Sequence, residues 1–123
     1  MFYSASNIFR YIFVFSLSDY IFPKQFNSLE WKGSWERFKN SDADGAGIYS
    51  ELSNRKKVVF NLIRSDDLKL KNKNGIVEVL GLEDNKFEED SWYYWVAFTA
   101  IDNKWLKLDF VDGVVDQVSI YED

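Results

Sequence analysis

The chain has 123 residues and a formal net charge of -5, and it contains neither histidine nor cysteine. The length corresponds to one domain, and a hydrophobic content of 46% is typical of a globular protein. The two missing residue types exclude disulfides, zinc–thiolate sites, histidine-dependent hydrolytic triads and lipid attachment to cysteine. The negative charge disfavours binding to the phosphates of nucleic acids.

The N-terminal segment, residues 1–22, is strongly apolar and ends before Pro23. It lacks the basic start and the small-residue cleavage motif of a secretory signal, because Arg10 follows several apolar residues. The uncharged run over residues 11–18 is far shorter than the roughly 20 residues that a membrane span needs. We therefore expect this segment to be a buried helix or strand of the core. The alternative is a cleaved or membrane-associated signal.

Residues 24–81 form the predicted helical region. The spacing of aromatic residues and leucine in residues 24–40 predicts a short helix that is broken at Gly33. Asp and Gly dominate residues 41–47, which is typical of a loop because these residues favour turns and positive φ angles. An apolar stripe then predicts a helix of about four turns over residues 50–65.

A shorter helix is predicted over residues 74–81. Asn74 is the expected N-cap, since its side chain can accept a hydrogen bond from a free backbone amide of the first turn. Gly81 is the expected C-terminal residue, because many helices end at a residue with positive φ.

The last part of the chain, residues 91–121, changes to the two-residue alternation of β-strands. Apolar and aromatic runs predict strands over residues 91–99, 104–110 and 114–121. Asn103 marks one turn, and Asp112-Gly113 is a strong hairpin signal. The sequence therefore predicts a single α+β domain over residues 1–123, with helices packed on one face of a three-stranded antiparallel meander.

One loop has the oxygen spacing of an EF-hand calcium site. The matching residues are Asn40, Asp42, Asp44, Gly45 and Glu51. The loop differs from that motif because Asn stands at the first position, glycine at the eighth, and no second hand follows. We therefore predict a turn that caps the following helix, with no bound metal and no cofactor.

An acidic and aromatic region precedes the predicted sheet and enters it. The residues that we predict to bind a partner are Glu83, Asp84, Glu88, Glu89, Asp90, Trp92 and Asp116. Acidic loops beside a sheet are well placed to attract a basic protein, and exposed aromatic residues commonly anchor interfaces. The alternative is a solvated loop before an apolar strand. Carboxylate pairs can be drawn from any of 20 acidic residues, so they do not predict an enzyme.

Residues 55–120 resemble the small fold of BamE-like outer-membrane assembly lipoproteins and related β-lactamase-inhibitor modules. The resemblance rests on Val59-Phe60-Asn61-Leu62 in the long helix, residues 75–81, Trp92-Tyr93-Tyr94, residues 105–110 and Asp112-Gly113. It implies a meander packed on helices and, as a function, an envelope scaffold or a protein inhibitor.

The small, acidic character of the chain is also similar to that of bacterial immunity proteins, including those of contact-dependent growth-inhibition systems. This resemblance implies a non-enzymatic, monomeric, cytoplasmic protein that binds and neutralises a cognate toxin domain, commonly a basic nuclease. It implies no binding to nucleic acid or to a membrane. The envelope scaffold or inhibitor is the first alternative, and a small-ligand-binding module is the second.

Overall fold

The computed structural model describes residues 21–40, 45–83, 87–98 and 103–122. The helices within these ranges that pack the core are α1 (Ser28–Asn40), α2 (Gly45–Arg64) and α3 (Lys73–Leu80). The strands are β1 (Ser91–Phe98), β2 (Asn103–Val111) and β3 (Val114–Glu122). The predicted α+β class with a three-stranded antiparallel sheet is confirmed.

The sheet is a meander in which the strands neighbour one another in the order β1-β2-β3. β2 and β3 are joined by the two residues Asp112 and Gly113, whose φ angles are 52° and 82°. Positive φ at both positions is the geometry of the tight hairpin turn that matches the right-handed twist of the strands. The hairpin prediction is therefore confirmed.

The hydrophobic core lies between one face of the sheet and the three helices. Its side chains come from alternate positions of the strands, such as Leu106 and Leu108 of β2, and from the inner face of α2, such as Val59 and Leu62. Strand residues between the core positions point to the opposite face, as the pleat requires. There Trp95 and Trp105 stack with their ring centres 6.0 Å apart.

α1 and α2 each differ from the sequence prediction. α1 is continuous through Gly33, because Trp31, Ser34 and Trp35 are buried and hold that face of the helix in place. α2 already begins at Gly45, so the predicted loop is wrong from that residue onward. A glycine in a helix costs only about 1 kcal/mol, which the packing of the rest of the helix outweighs.

The N-cap of α3 is Asn72, and the prediction of Asn74 is wrong. The Asn72 side chain accepts a hydrogen bond from the Gly75 amide at 2.8 Å. Asn72 also forms a β-bridge with Val114 of β3, which holds it in an extended conformation directly before the helix. The prediction of Gly81 is confirmed, since it ends the helix with a φ of 79°.

Two sequence expectations concern parts of the chain that lie mostly outside the described residues. Only the last two residues of segment 1–22, Ile21 and Phe22, are described, and both are exposed. Of the calcium-like loop, Asp42 and Asp44 lie outside the described residues, whereas the backbone from Gly45 onward is helical. A calcium loop of the EF-hand type remains a loop through most of its 12 positions, and a helix that starts at the sixth does not have that shape.

Substitution of Gly113 by alanine tests the hairpin. A Cβ at this position meets nothing within 4 Å, so the cost comes from the positive φ alone. We expect G113A to lower the free energy of unfolding by about 1 kcal/mol, measured by urea denaturation. D112N is the matched control and should be nearly neutral, since asparagine tolerates positive φ. Equal stability of G113A and the wild type would contradict the turn geometry.

Candidate functional site

The acidic segment, residues 88–90, lies directly before β1, and its three side chains are exposed. Its main chain is attached to the sheet, because the Glu88 amide donates to the Ser91 carbonyl at 2.9 Å and the Phe110 amide donates to the Asp90 carbonyl at 2.9 Å. The Lys73 ammonium donates to the Glu89 carbonyl. Three carboxylates are thus presented to solvent from a backbone that is held in place.

Trp92 stands beside this segment on the first strand and is half-buried. Its ring meets Phe87 and Phe110 in edge-to-face contacts, with the ring centres 5.1 Å apart in each pair. The Lys73 ammonium lies 5.9 Å from the centre of the Trp92 ring. Trp92 is therefore partly a core residue, and only part of its surface is available to a partner.

The other predicted partner-binding residues are not gathered with residues 88–90. Asp116 is exposed and is the extra residue of a β-bulge in β3, two strands away from Asp90 at the same end of the sheet. Asp84 lies outside the described residues. Glu83 is 4% exposed, so its assignment to an accessible acidic surface is wrong.

Glu83 is buried because it forms an ion pair with Arg55 of α2. The Glu83 Oε2 atom lies 2.5 Å from the Arg55 Nη2 atom, and both side chains are almost completely enclosed. Burial of either charge alone would cost several kcal/mol, so each makes the burial of the other possible. We refer to these two residues as the Arg55/Glu83 pair.

The Arg55 guanidinium uses four hydrogen bonds to join separate parts of the fold. In α1 it donates to the Ser34 hydroxyl at 2.7 Å and to the Trp31 carbonyl at 2.9 Å. In β1 it donates to the Trp95 carbonyl at 2.8 Å. The guanidinium also stacks on the Trp31 ring, 4.3 Å from its centre.

The Arg55/Glu83 pair also occupies the outer edge of β1. Glu83 Oε1 accepts a hydrogen bond from the Trp95 amide at 3.4 Å, while Arg55 donates to the carbonyl of the same residue. β1 is a terminal strand of the sheet and has a bulge between Trp95 and Ala97. Both backbone groups of Trp95 are therefore paired with side chains, in place of the strand that β1 lacks on this side.

Arg55 is absent from the predicted site residues, although its position in the chain contains a signal. Arg55 lies four residues before Val59 and seven before Leu62, which puts it on the buried stripe of α2. An arginine at such a position must find a partner for its charge. Nothing in the spacing of the chain indicates that Glu83 is that partner, because the two residues are 28 positions apart.

Tyr94 is a further buried ionisable residue, and it lies next to the Arg55/Glu83 pair. Its hydroxyl donates to the Gly81 carbonyl at 2.7 Å. Burial and, to a smaller extent, the negative charge of Glu83 raise the pKa of Tyr94 well above its usual range, and Arg55 acts in the opposite direction. The phenol therefore remains protonated at neutral pH and serves as a hydrogen-bond donor.

A cleft of about 200 Å³ separates α1 from the chain that follows α3. Lys32 and Glu83 are among its lining residues. The Lys32 ammonium is bonded to the Glu78 carbonyl at 3.0 Å, and Glu83 is bonded to Arg55. Within the described ranges, including this cleft, no three acidic side chains lie close enough together to hold a metal ion.

Comparison of the chain with protein-family models, with curated proteins and with solved structures gave no match. Among the residues that the structure describes, no helix has the length and apolar character that a membrane crossing requires.

Removal of Glu83 should destabilise the fold strongly. In E83A the Arg55 charge stays buried without its partner, and we expect the free energy of unfolding to fall by roughly 3–5 kcal/mol. The double variant R55M/E83L removes both charges and should lose less than E83A. Urea denaturation at pH 7 gives both values.

The exposed pair of Lys24 and Glu30 provides the control, since its atoms are 3.2 Å apart in contact with solvent. K24A should cost no more than about 0.5 kcal/mol. An E83A variant as stable as K24A would show that the Arg55/Glu83 pair does not hold the fold together.

The raised pKa of Tyr94 predicts a loss of stability at alkaline pH. Above pH 10 the unfolded chain releases the Tyr94 proton and the folded chain keeps it, so the free energy of unfolding falls by up to about 1.4 kcal/mol per pH unit. Y94F should lose about 1 kcal/mol at pH 7, together with the bond to Gly81. Between pH 10 and 11 its stability should decline less steeply than that of the wild type. Parallel declines in urea titrations at these pH values would contradict the assignment.

Proposed function

We propose that this protein works by binding, and that the acidic segment, residues 88–90, receives a basic protein. In the reading that the composition favours, the chain is a cytoplasmic immunity protein that neutralises a basic toxin domain. The observation that carries the proposal is the exposure of three consecutive carboxylates on a main chain that is hydrogen-bonded to the sheet.

A fixed acidic surface favours binding in two ways. The backbone of residues 88–90 already has its final position, so little conformational entropy is lost when a partner binds. The carboxylates also attract a basic protein before contact, which raises the association rate and makes it dependent on salt. The net charge of -5 acts in the same direction over the whole molecule.

Trp92 supplies an apolar contact next to these charges. The accessible part of its ring can stack against an arginine or lysine side chain of the partner, as partly buried aromatic residues at interfaces commonly do. Lys73 already lies near the ring and bonds to the Glu89 carbonyl, so its ammonium reduces the local negative charge. All three carboxylates of residues 88–90 remain exposed and supply the electrostatic attraction.

Charge reversal of the acidic segment tests the proposal. The tagged full chain is mixed with the basic protein encoded by the adjacent open reading frame, and association is followed by surface plasmon resonance at several salt concentrations. We expect E88K/E89K/D90K to weaken binding by roughly 1–3 kcal/mol, mainly through slower association. The wild-type association rate should fall as salt rises.

The matched control is D66K/D67K/E78K, which changes the net charge by the same amount at exposed positions away from the acidic segment. This variant should bind with a much smaller loss. Equal losses in the two triple variants would show that only the overall charge matters and would contradict a site at residues 88–90. Failure of the wild type to bind the neighbouring gene product would contradict the immunity function.

A further inference from the structure

The acidic segment, residues 88–90, is joined to the rest of the fold by a main-chain hydrogen bond at each of its residues. Its first amide donates to the Ser91 carbonyl, and its last carbonyl accepts from the Phe110 amide, both at 2.9 Å. These two bonds join main-chain groups, so they do not depend on which side chains are present. The carbonyl of the middle residue, Glu89, accepts its hydrogen bond from the Lys73 ammonium. Lys73 is therefore the side chain through which the sequence controls the position of the segment.

Lys73 reaches the acidic segment from the first position of α3. Asn72, the N-cap of that helix, forms a β-bridge with Val114, which ties the start of α3 to β3. The Lys73 ammonium lies 5.6 Å from the centre of the Phe110 ring of β2 and 5.9 Å from the centre of the Trp92 ring of β1. Both distances are within the range of cation–π attraction. Two rings and one carbonyl thus hold the ammonium in the free protein.

The charge of Lys73 opposes the attraction that the acidic segment offers to a basic protein. Within the described ranges, none of the three carboxylates of residues 88–90 forms an ion pair, and Lys73 donates to a main-chain carbonyl beside them. A cation in this place weakens the field that attracts a basic partner. Its bond to the carbonyl acts in the other direction, because a segment held in one conformation loses less conformational entropy on binding.

We propose that Lys73 is the positioning residue of the acidic segment and that its ammonium controls how long a basic partner stays bound. With the ammonium in place, the three carboxylates keep the spacing that the cations of the partner meet. Loss of the ammonium frees the Glu89 carbonyl, and the segment then samples other conformations. The effect on the partner rests on the proposed function, whereas the hold of Lys73 on the segment is independent of it.

The effect of Lys73 on binding has a sign that separates positioning from charge. K73M removes one positive charge and makes the net charge of -5 more negative by one unit. Long-range attraction to a basic partner then increases, so a lysine that acted only through its charge would give tighter binding in K73M. A positioning residue gives the opposite result, because the complex dissociates faster when the carboxylates are no longer held in place.

Amide hydrogen exchange of the full chain, followed by NMR, tests the hold of Lys73 on the segment without a partner. We expect the Glu88 amide to exchange roughly 10-fold faster in K73M, because its bond to Ser91 opens more often. K73R should stay within about 2-fold of the wild type, since arginine keeps the charge, donates to carbonyls and stacks on aromatic rings. The Leu106 amide of β2 reports global opening and should change less than the Glu88 amide. An unchanged Glu88 amide in K73M, or equal acceleration of both amides, would overturn the positioning role.

Surface plasmon resonance with the basic protein encoded by the adjacent open reading frame tests the effect on the partner. K73M should dissociate roughly 3- to 10-fold faster than the wild type, and K73R within about 2-fold of it. The matched control is K69M, which removes the same charge at an exposed lysine between α2 and α3 and should dissociate at the wild-type rate. Dissociation of K73M as slow as that of the wild type, or equally fast dissociation of K73M and K69M, would exclude control by Lys73.

The two measurements separate this inference from the proposed function. A wild-type chain that does not bind the neighbouring gene product would overturn the immunity function and the role of Lys73 in capture. Faster exchange of the Glu88 amide in K73M would, in that case, still assign the position of the segment to Lys73. Unchanged exchange together with wild-type binding by K73M would keep residues 88–90 as the binding site and remove Lys73 from it.

Discussion

The Arg55/Glu83 pair is the interaction on which the arrangement of the other elements depends. One guanidinium is bonded to α1, to β1 and to the chain after α3, and it stacks on the buried Trp31 ring. Removal of any of these elements would leave a charge or a hydrogen-bonding group in the interior without a partner. Apolar contacts between helices and sheet tolerate small shifts, whereas this pair fixes the relative positions of the elements through directional bonds.

The same pair explains how a sheet of three strands ends without an open edge at Trp95. Terminal strands expose backbone donors and acceptors that can pair with other chains, and proteins block them in several ways. In this protein a carboxylate and a guanidinium take the places of a neighbouring carbonyl and amide. Further along β1, the Glu88 amide bonds to the Ser91 carbonyl, so the segment that carries the exposed acids also covers part of this edge. Coverage of the edge and presentation of the acidic segment are thus achieved by one stretch of chain.

Elements that depend on local chemistry were predictable from the sequence, and those that depend on distant contacts were not. Asp112 and Gly113 define a turn by their own conformational preferences, and the alternation in β2 requires only one buried face. Asn72 and Asn74 both satisfy the local rule for an N-cap, and only the bridge between Asn72 and Val114 distinguishes them. The charge of Glu83 predicts exposure to solvent, whereas its environment is set by Arg55 on α2. The position of the acidic segment at the start of β1 was predictable, but its bonds to Ser91 and Phe110 were not.

The separation of Arg55 and Glu83 along the chain has a consequence for how the protein folds. In a partly folded chain both groups remain hydrated, and they gain nothing until α1, α2 and the edge of β1 have come together. A form that buried only one of them would carry an unpaired buried charge, which costs roughly 3–5 kcal/mol. Partly assembled states are therefore disfavoured, and the described helices and sheet should form and melt as one cooperative unit rather than as a helical half and a β half.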